Sequence, residues 1–335
     1  MSICSNISDG GALLTCAGEV ARSVGALALF LEPSSCFFLP FLAAFLLAGL
    51  VIYLRSSPRR QPRSWREAVR FLFPGTIWRH VSTRLDIVVY AINLTVIPVA
   101  TIAVFLVSGP SVQAAFVRLL GPPPLLLPSG LPGSFIQFSI IALVTGFAEY
   151  FQHYLLHRVP ALWALHRAHH SAEVLNLFTQ FRFHPLEVAF SALVVGSAGG
   201  LALGAVAYFS AGQLSQGAIW LWIALEILKN LAQNFRHSHI WISYGPWLDH
   251  IFISPSMHQI HHSIRPQHLG KNLGQVLTLW DHLFGTLYVP RGKEDLQLGV
   301  SAIERGNENP HKSVRSFYVE PVIQLFRALA GNRLR

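Results

Sequence analysis

The chain has 335 residues, of which 52% are hydrophobic and only 12% are charged, and its mean hydropathy is +0.44. About a quarter of the residues in a soluble domain are charged, so this composition excludes an ordinary soluble protein and indicates a membrane protein. The formal net charge of +9 comes mostly from arginines beside apolar segments. This placement favours membrane orientation and contact with anionic lipid, and we expect no nucleic acid partner.

Apolar segments long enough to cross a bilayer predict an all-α membrane protein with about four or five transmembrane helices. An arginine-rich loop directly after the first span places that loop in the cytoplasm and the N-terminus outside. The third span is predicted to continue as a helix through His153 and His157, and Pro160 ends that helix or starts another. The last two spans could instead form a re-entrant hairpin. The predicted spans are residues 36–54, 86–107, 135–149, 188–209 and 214–231.

Histidines are concentrated in one window of the chain. Fourteen of the sixteen lie between positions 153 and 282. Residues three or four apart share a face of a helix, so histidines at this spacing can aim their imidazoles at one point. The pattern predicts a metal centre with many nitrogen ligands and more than one ion, on the arginine-rich side of the membrane. Three clusters have this spacing: His153 and His157; His166, His169 and His170; His258, His261 and His262.

Other kinds of histidine site fit this pattern poorly. A zinc protease needs a glutamate directly after the first histidine of its motif, whereas Tyr154 follows His153. Cys4, Cys16 and Cys36 lie far upstream without paired spacing, which excludes a thiolate site. Isolated core histidines would not repeat the spacing of three and four residues. Imidazole ligands suit iron, copper, zinc or nickel, and the spacing alone does not choose among these metals.

The order of the boxes, His-x-x-x-His followed by two copies of His-x-x-His-His, resembles the fatty acid hydroxylase/sterol desaturase superfamily of integral-membrane di-iron enzymes. The resemblance covers about residues 134–290, and linked details are similar to the alkylglycerol monooxygenase or C-5 sterol desaturase branches. Further matches, in chain order, are His157-Arg158, Trp163, Arg182 to Glu187, Asn234 with His237-Ser238, Ser254-Pro255, and Trp280-Asp281 with Phe284 to Thr286.

This resemblance implies a centre of two iron ions, dioxygen as co-substrate, and electrons from a separate cytochrome b5-, ferredoxin- or reductase-like protein. It implies that the box histidines and His237 are catalytic metal ligands, and it leaves His184 either as a ligand or as a residue that contacts one. The implied metal ligands are His153, His157, His166, His169, His170, His184, His237, His258, His261 and His262.

The resemblance implies a lipid hydroxylase or desaturase of the monooxygenase type. Its substrate would be a fatty acyl chain, a sterol, a carotenoid or an alkyl ether lipid, and the sequence does not distinguish hydroxylation from desaturation. The alternative is a non-catalytic membrane protein whose histidines bind zinc or haem for structure or transport. Because a structural zinc needs only four ligands, the complete set of boxes favours catalysis.

Metal-bound imidazoles usually donate their second N–H to a carboxylate or a carbonyl. Four carboxylates lie close enough in sequence to serve as such partners: Glu149, Glu187, Asp249 and Asp281. The histidines expected not to be ligands are His239 and His282, which would lie around the site or face solvent, and His80, His250, His268 and His311.

Three regions follow from this pattern. Residues 1–133 would form an N-terminal membrane region, 134–290 a catalytic domain whose cytosolic helical cap holds the metal centre, and 291–335 a cytosolic tail. Residues 318–335 alternate apolar residues with arginine, which predicts either a helix lying on the membrane surface or a tail packed on the domain. The excess of arginine over lysine favours a bacterial inner membrane, with the endoplasmic reticulum expected for a eukaryotic chain.

Overall fold

The structure is a computed structural model that describes residues 39–56, 64–100, 108–128, 130–300 and 309–331. These residues fold into α-helices and connecting segments, and no β-strand occurs among them, which confirms the predicted all-α class. The helices, numbered in chain order, are α1 (Leu39–Ser56), α2 (Trp65–Leu72), α3 (Gly75–Trp78), α4 (Val81–Ala100), α5 (Gly109–Leu120), α6 (Gly130–Arg158), α7 (Pro160–His170), α8 (Pro185–Ser191), α9 (Ser197–Phe209), α10 (Gln216–Arg236), α11 (Pro255–His261), α12 (Leu279–Leu283) and α13 (Val314–Leu329).

Serine side chains cap the N-termini of several of these helices. Ser108 Oγ accepts a hydrogen bond from the backbone N–H of Ser111, and Ser313 and Ser316 repeat this arrangement at the start of α13. Ser215 caps α10 in the same way through the N–H of Ala218. The first N–H groups of a helix have no partner within the helix, so these serines satisfy donors that would otherwise remain unpaired.

The junction between α6 and α7 places two histidine boxes next to each other. Helix α6 runs without interruption through His153 and His157 to Arg158, as predicted, and α7 begins at Pro160. Proline is favoured at the first helical position because it has no N–H to leave unpaired there. The single residue between the helices, Val159, is extended (φ −93°, ψ 116°). The chain therefore turns sharply, and α7 packs against the end of α6.

Two helical segments in the described residues are long and apolar enough to cross a membrane. They are α6 and the continuous segment Pro185–Phe209, and α1 is a shorter apolar helix. The predicted spans at 86–107 and 214–231 correspond to α4 and α10, which are not among the two. Residues 36–38 and 101–107 of the predicted spans lie outside the described residues. The number of spans stays a prediction.

Helix α6 is the centre of the fold, with α7, α9 and α10 packed against it. Helix α9 also packs closely on α5, and glycine permits this approach. A Cβ atom added to Gly204 would lie 2.5 Å from Val112 Cβ and 2.6 Å from the carbonyl oxygen of Gly109. Small residues let apolar helices approach in this way.

A buried ion pair ties α4 to the segment after the second histidine box. Arg182 Nη1 donates to Asp86 Oδ1 over 2.5 Å, and the two side chains are 1% and 0% exposed. Arg182 also donates to the carbonyl oxygens of Ala168 and His311. A buried guanidinium is tolerated when its donors are matched in this way. Arg182 therefore connects α4, the end of α7 and the segment just before α13.

The C-terminal helix α13 packs on α7 with one face and exposes an apolar second face. Phe317 is fully buried, and its ring centroid lies 5.7 Å from Arg182 Cζ. Phe326 and Leu329 are 65% and 67% exposed. One face of the helix therefore packs on the domain, as predicted for a packed tail. Its other face is apolar and exposed, as predicted for a helix that lies on the membrane surface. Residues 332–335 lie outside the described residues.

Candidate metal centre

Nine of the ten predicted metal ligands converge in the structure and form two groups. In each group the ligand nitrogens all lie within 4.8 Å of one another. Four parts of the chain supply them: the end of α6, the end of α7, the residue after α10, and α11 with the residue that follows it. Group one consists of His153, His157, His166, His170 and His261, and group two consists of His169, His237, His258 and His262.

In group one, hydrogen bonds at Nδ1 fix the ring nitrogen that faces the centre. His153 Nδ1 lies 2.8 Å from the carbonyl oxygen of Leu273, and His261 Nδ1 lies 2.9 Å from that of Lys271. A carbonyl oxygen only accepts hydrogen bonds, so both Nδ1 atoms carry the proton. The Nε2 atom of each neutral ring is then left with a lone pair, which is the form that binds a metal ion.

The same reasoning extends to His166. Its Nδ1 lies 2.7 Å from the carboxylate of Glu187, while its Nε2 lies 3.1 Å from Nε2 of both His153 and His170. Lone pairs that face each other at this distance repel, and a cation between them would remove the repulsion. The Nε2 atoms of His157 and His261 are also buried, and neither has a hydrogen-bond partner among the described residues.

Group two contains a triangle of ring nitrogens. The Nε2 atoms of His237, His258 and His262 are separated by 3.1, 3.1 and 3.2 Å. Two ligands held at right angles, each about 2.1 Å from one ion, stand about 3.0 Å apart. The spacing in both groups therefore fits nitrogen ligands that share an ion.

The two groups adjoin. The ring centroids of His170 in group one and His262 in group two are 4.7 Å apart, and those of His169 and His170 are 5.5 Å apart. Adjacent residues of the same box thus face different groups. The arrangement fits two ions that lie close together.

Burial keeps the imidazoles neutral. Burial and the neighbouring histidines lower the pKa values of His166, His169 and His170 well below the ordinary value of 6.5, and burial lowers the pKa of His262 to about 3. A neutral imidazole is the ligand form, so the groups are ready to bind metal without first losing protons. An all-imidazole donor set suits iron, copper, zinc or nickel.

Two of the four carboxylates considered as imidazole partners support group one. Glu187 contacts His166 directly. Asp281 acts one step away: its carboxylate accepts hydrogen bonds from the backbone N–H groups of Leu273 and Gly274, both over 2.8 Å, and so holds the carbonyl that anchors His153. Glu149 instead pairs with Lys229 over 2.8 Å, and Asp249 accepts a hydrogen bond from Ser243.

His184, the tenth predicted ligand, lies outside both groups. Its Nδ1 accepts a hydrogen bond from the N–H of Leu186 at the start of α8, and its Nε2 donates to the carbonyl oxygen of Tyr318 over 3.1 Å. Both ring nitrogens are therefore engaged. Its hydrogen bond attaches α8 to α13.

The other histidines also have contacts away from the groups. His239 Nε2 donates to the carbonyl oxygen of Phe71, and the exposed His250 and His282 rings pack 5.9 Å apart. His268 is fully buried and pairs with Glu294. None of these residues belongs to either group.

Sequence reasoning missed several residues that position the ligands. Gln259 lies between histidines of the third box, and its Nε2 is within 3.0 Å of the carbonyl oxygens of Phe235, Ser238 and Ile240. This contact holds the segment that carries His237 against α11. The sequence does offer a signal for Gln259, because a glutamine between the histidines of a box is not itself expected to bind metal and so suggests a structural role. The carbonyl oxygens of Leu273 and Lys271 had no such signal, because every residue has one.

A cavity of about 620 Å³ opens beside both groups. Five of the nine histidines line it, and much of the remaining lining is apolar. Part of its wall is a π-helical segment, Ala192–Gly196, a local irregularity that often accompanies functional sites. We call this space the metal-side cavity. Its lining includes His153, His166, His169, His237, His258, Leu156, Phe183, Val188, Val195, Glu149 and Gln275.

The geometry defines a helical protein with two adjoining all-histidine groups that could each hold a metal ion, beside a cavity of ligand size. Comparison with known proteins adds a family match. Residues 138–286 match the model of the fatty acid hydroxylase family. This match confirms the predicted resemblance, and the region it covers contains all nine grouped histidines.

The chain is similar to curated enzymes that modify lipids. It is 28% identical to an ornithine lipid hydroxylase of Rhizobium tropici over 48% of this chain and 44% of the relative. It is 33% identical to the alkylglycerol monooxygenase of Homo sapiens over 42% of this chain and 28% of the relative, and 31% identical to that of Xenopus tropicalis over 46% and 31%. The chain thus spans less than half the length of these relatives. No solved structure matches the chain significantly.

Proposed function

We propose that this protein is a membrane-bound, oxygen-dependent di-iron oxidoreductase that hydroxylates or desaturates a C–H bond of a lipid. One observation carries the proposal: two adjoining all-histidine groups line a largely apolar cavity within the region that matches the fatty acid hydroxylase family. The names of the curated relatives, an ornithine lipid hydroxylase and alkylglycerol monooxygenases, support a lipid substrate.

Each group would hold one iron. His153, His157, His166, His170 and His261 would bind the first, and His169, His237, His258 and His262 the second. When bound, the irons supply the dioxygen chemistry that acid and base groups alone lack. Insertion of one oxygen atom into a C–H bond reduces the other to water, which takes up two electrons and two protons. Desaturation also takes up two electrons and two protons, removes two hydrogens from the substrate and reduces both oxygen atoms to water.

The protein's own groups position the ligands and exclude water. Glu187 and the carbonyl oxygens of Leu273 and Lys271 hold three imidazoles in the tautomer that leaves Nε2 free to bind metal. Leu156, Val188 and Val195 present an apolar wall to the metal-side cavity, so a hydrocarbon can approach the histidines there. Apolar walls of this kind limit the access of water to the reaction.

The electrons would come from a separate cytochrome b5-, ferredoxin- or reductase-like protein, as the family resemblance implies. We place the histidine groups on the cytoplasmic side because they follow the apolar part of α6, on the side where the predicted topology puts the arginine-rich loop. The membrane would be a bacterial inner membrane, as the arginine excess suggests.

The first test is the metal content of protein purified in detergent from iron-replete cells. The parent should contain two irons per chain, one for each group, and His169→Ala should contain clearly fewer. His282→Ala is the matched control, because His282 is exposed and lies outside both groups. One zinc or a haem per chain would overturn the di-iron proposal and favour a metal-binding protein without oxygenase activity.

The second test asks whether oxygen is used. Cells that express the parent and cells that express His169→Ala are grown under isotopically heavy dioxygen. The masses of their lipids are then compared by mass spectrometry. A lipid carrying the heavy oxygen atom, present only with the parent, indicates hydroxylation. A lipid lighter by two hydrogens indicates desaturation. Identical lipid profiles in the two strains would contradict an oxygenase acting on cellular lipids.

A further inference from the structure

A second, smaller cavity lies next to the metal-side cavity. Its volume is about 300 Å³, and α6, α10 and the segment 275–280 form its walls. We call it the chain pocket. This volume is at the lower end of the range typical of small-ligand sites. The lining is dominated by hydrocarbon and aromatic side chains, among them Phe138, Ala142, Leu143, Trp222, Leu225 and Trp280.

The chain pocket faces the region where hydrocarbon is expected. Leu143 is 40% exposed on the outer side of α6, which is one of the two segments long and apolar enough to cross a membrane. Phe147, on the same surface and 37% exposed, packs against Trp280 with ring centroids 5.0 Å apart. An alkyl chain could therefore enter the pocket sideways from the bilayer without crossing water.

A charged pair separates the two cavities. Glu149 and Gln275 line both of them, and Lys229 lines the chain pocket. Lys229 Nζ donates to Glu149 Oε1 over 2.8 Å and to Glu226 Oε1 over 3.1 Å. The Lys229 and Glu149 side chains are only 22% and 20% exposed. Separating a largely buried pair leaves uncompensated charge and is costly, so the pair is a persistent polar feature between apolar surfaces.

We propose that the chain pocket binds the hydrocarbon chain of the lipid substrate and that the Glu149–Lys229 pair hydrogen-bonds the polar group of that lipid. The inference rests on the proposed function. Lys229 already has two carboxylate partners, so the pair suits an uncharged group that both donates and accepts, such as a hydroxyl or an amide. An anionic group would compete with Glu149 and Glu226 for the ammonium.

The position of the pair determines which carbon reaches the histidines. A mid-chain carbon could reach the metal-side cavity only if the polar group passed the charged pair and left its hydrogen bonds. A carbon next to the polar group, or within it, lies beside the metal-side cavity while the chain remains in its pocket. The structure therefore assigns oxidation to the polar end of the lipid.

Binding is tested without turnover, using a hexadecanol that carries a diazirine near the end of its chain. After illumination, labelled peptides are mapped by mass spectrometry in the purified full chain. The parent should be labelled within 138–146, 222–225 and 277–280. His169→Ala, with its metal site impaired, should be labelled in the same way. Loss of iron or of oxygen use would therefore count against the proposed function while leaving this inference intact.

Two variants fill the pocket. A Cβ atom at Gly146 would lie 3.6 Å from Trp280 Nε1, an ordinary contact, so Gly146→Leu extends into available space; Ala142→Phe fills the same pocket from one turn earlier. Either should lower labelling about tenfold, because the added side chain occupies space that the alkyl chain would fill; a tenfold loss corresponds to about 1.4 kcal/mol. Gly292→Leu is the control, because no atom lies within 4 Å of a Cβ atom at that position. Unchanged labelling in both pocket variants would overturn the inference.

The role of the charged pair is tested by competition. Unlabelled hexadecanol should compete with the probe better than hexadecane does in the parent, because only the alcohol hydrogen-bonds the pair. In the double variant Glu149→Leu with Lys229→Met, which leaves neither side chain able to hydrogen-bond, the two competitors should become equivalent. If the alcohol kept its full advantage in the double variant, the pair would have no part in binding the polar group.

Discussion

Group one and group two contain the same kind of ligand but differ in what surrounds it. In group one, a carboxylate and two carbonyl oxygens hold the outer nitrogens of His166, His153 and His261. In group two, His258 Nδ1 is buried, and no described residue accepts a hydrogen bond from it. Ring packing restrains the histidines of group two instead: the ring of Phe183 stacks on His169 with centroids 4.5 Å apart.

The charges around the groups also differ. Glu187 lies against group one, whereas the buried cation Arg236 lies beside group two. Burial and neighbouring histidines lower the pKa values of His237 and His258, and Arg236 adds to this lowering. A carboxylate behind an imidazole raises its basicity, and a nearby cation reduces it. Two ions in these groups would therefore not be equivalent, and the ion in group one should be held more tightly.

The largest expected effect comes from removing one ligand from each group in turn. His261→Ala should lose the ion of group one, and His258→Ala the ion of group two. Each variant should therefore fall from two irons per chain to one or none, measured by elemental analysis. If either variant keeps two irons, that histidine is not a ligand.

The next effect isolates the carboxylate. Glu187→Gln keeps an oxygen that can accept from His166 Nδ1 but cannot carry the negative charge that a bound cation favours on Glu187, whose pKa burial raises to about 8. We expect metal affinity to fall about 10–100-fold, as for other residues that hold a ligand, and the loss should be confined to group one. Competition with a graded series of chelators measures it. Ser191→Ala is a suitable control, because Ser191 lines the same cavity but bonds Gln152. Loss of both ions at the same chelator strength would contradict two independent environments.

A smaller effect tests the support behind His153. Asp281→Asn replaces one carboxylate oxygen by an NH₂ group, so one of the N–H groups of Leu273 and Gly274 loses its acceptor. Because Asp281 is fully buried, this should cost about 1–3 kcal/mol in the free energy of unfolding, measured in detergent. Asp295→Asn is the matched control. Its carboxylate is 85% exposed and pairs with Arg265, so its loss should cost less than about 1 kcal/mol. Equal losses in the two variants would show that Asp281 adds no more than a surface ion pair.

The smallest effect separates the pH sensitivity of the fold from that of the metal centre. Burial and the nearby Arg167 lower the pKa of His311, outside both groups, from 6.5 to about 3. Between these two pKa values the His311 ring is protonated in the unfolded chain but not in the folded one. The contribution of neutral His311 to stability is therefore fully present above pH 6.5 and is lost as the pH decreases.

His311→Gln should therefore lose less of its unfolding temperature between pH 7 and pH 5 than the parent does. The exposed His250 provides the control variant, His250→Gln, which should follow the parent. If His311→Gln is as sensitive to acid as the parent, the loss of stability originates in the other histidines.

The all-α fold and eight of the nine grouped histidines could be predicted from the residues themselves, because helical spacing places residues three or four apart on one face. His237 followed only from the family resemblance. Partner choice could not be predicted in the same way. Glu149 lies one turn before His153, a position that favours contact with its imidazole, but Lys229 approaches from α10 and pairs with Glu149 instead. The pair of Glu226 and Lys229, three residues apart, was predictable and is present. Contacts across helices depend on packing that a single sequence does not display.

The buried pair of Asp86 and Arg182 shows the same limit. Asp86 marks the start of a predicted span, and Arg182 belongs to a family motif, yet nothing in the sequence connects residues 96 positions apart. Glu187 does contact an imidazole, that of His166, but from 21 residues away along the chain, so closeness in sequence does not explain this contact either. Local order is readable from the sequence, whereas long-range pairing requires the fold.

The contacts around Arg182 also have a consequence for folding during synthesis. Its guanidinium contacts Asp86 from early in the chain, while the carbonyl oxygen of His311 and the ring of Phe317 come from near its end. Chains emerge from the ribosome in sequence order, at about 5–20 residues per second. All nine grouped histidines are therefore synthesised before the residues that complete these contacts behind α7. During that interval the second box lacks part of its support, and metal loading should be completed only after α13 has docked.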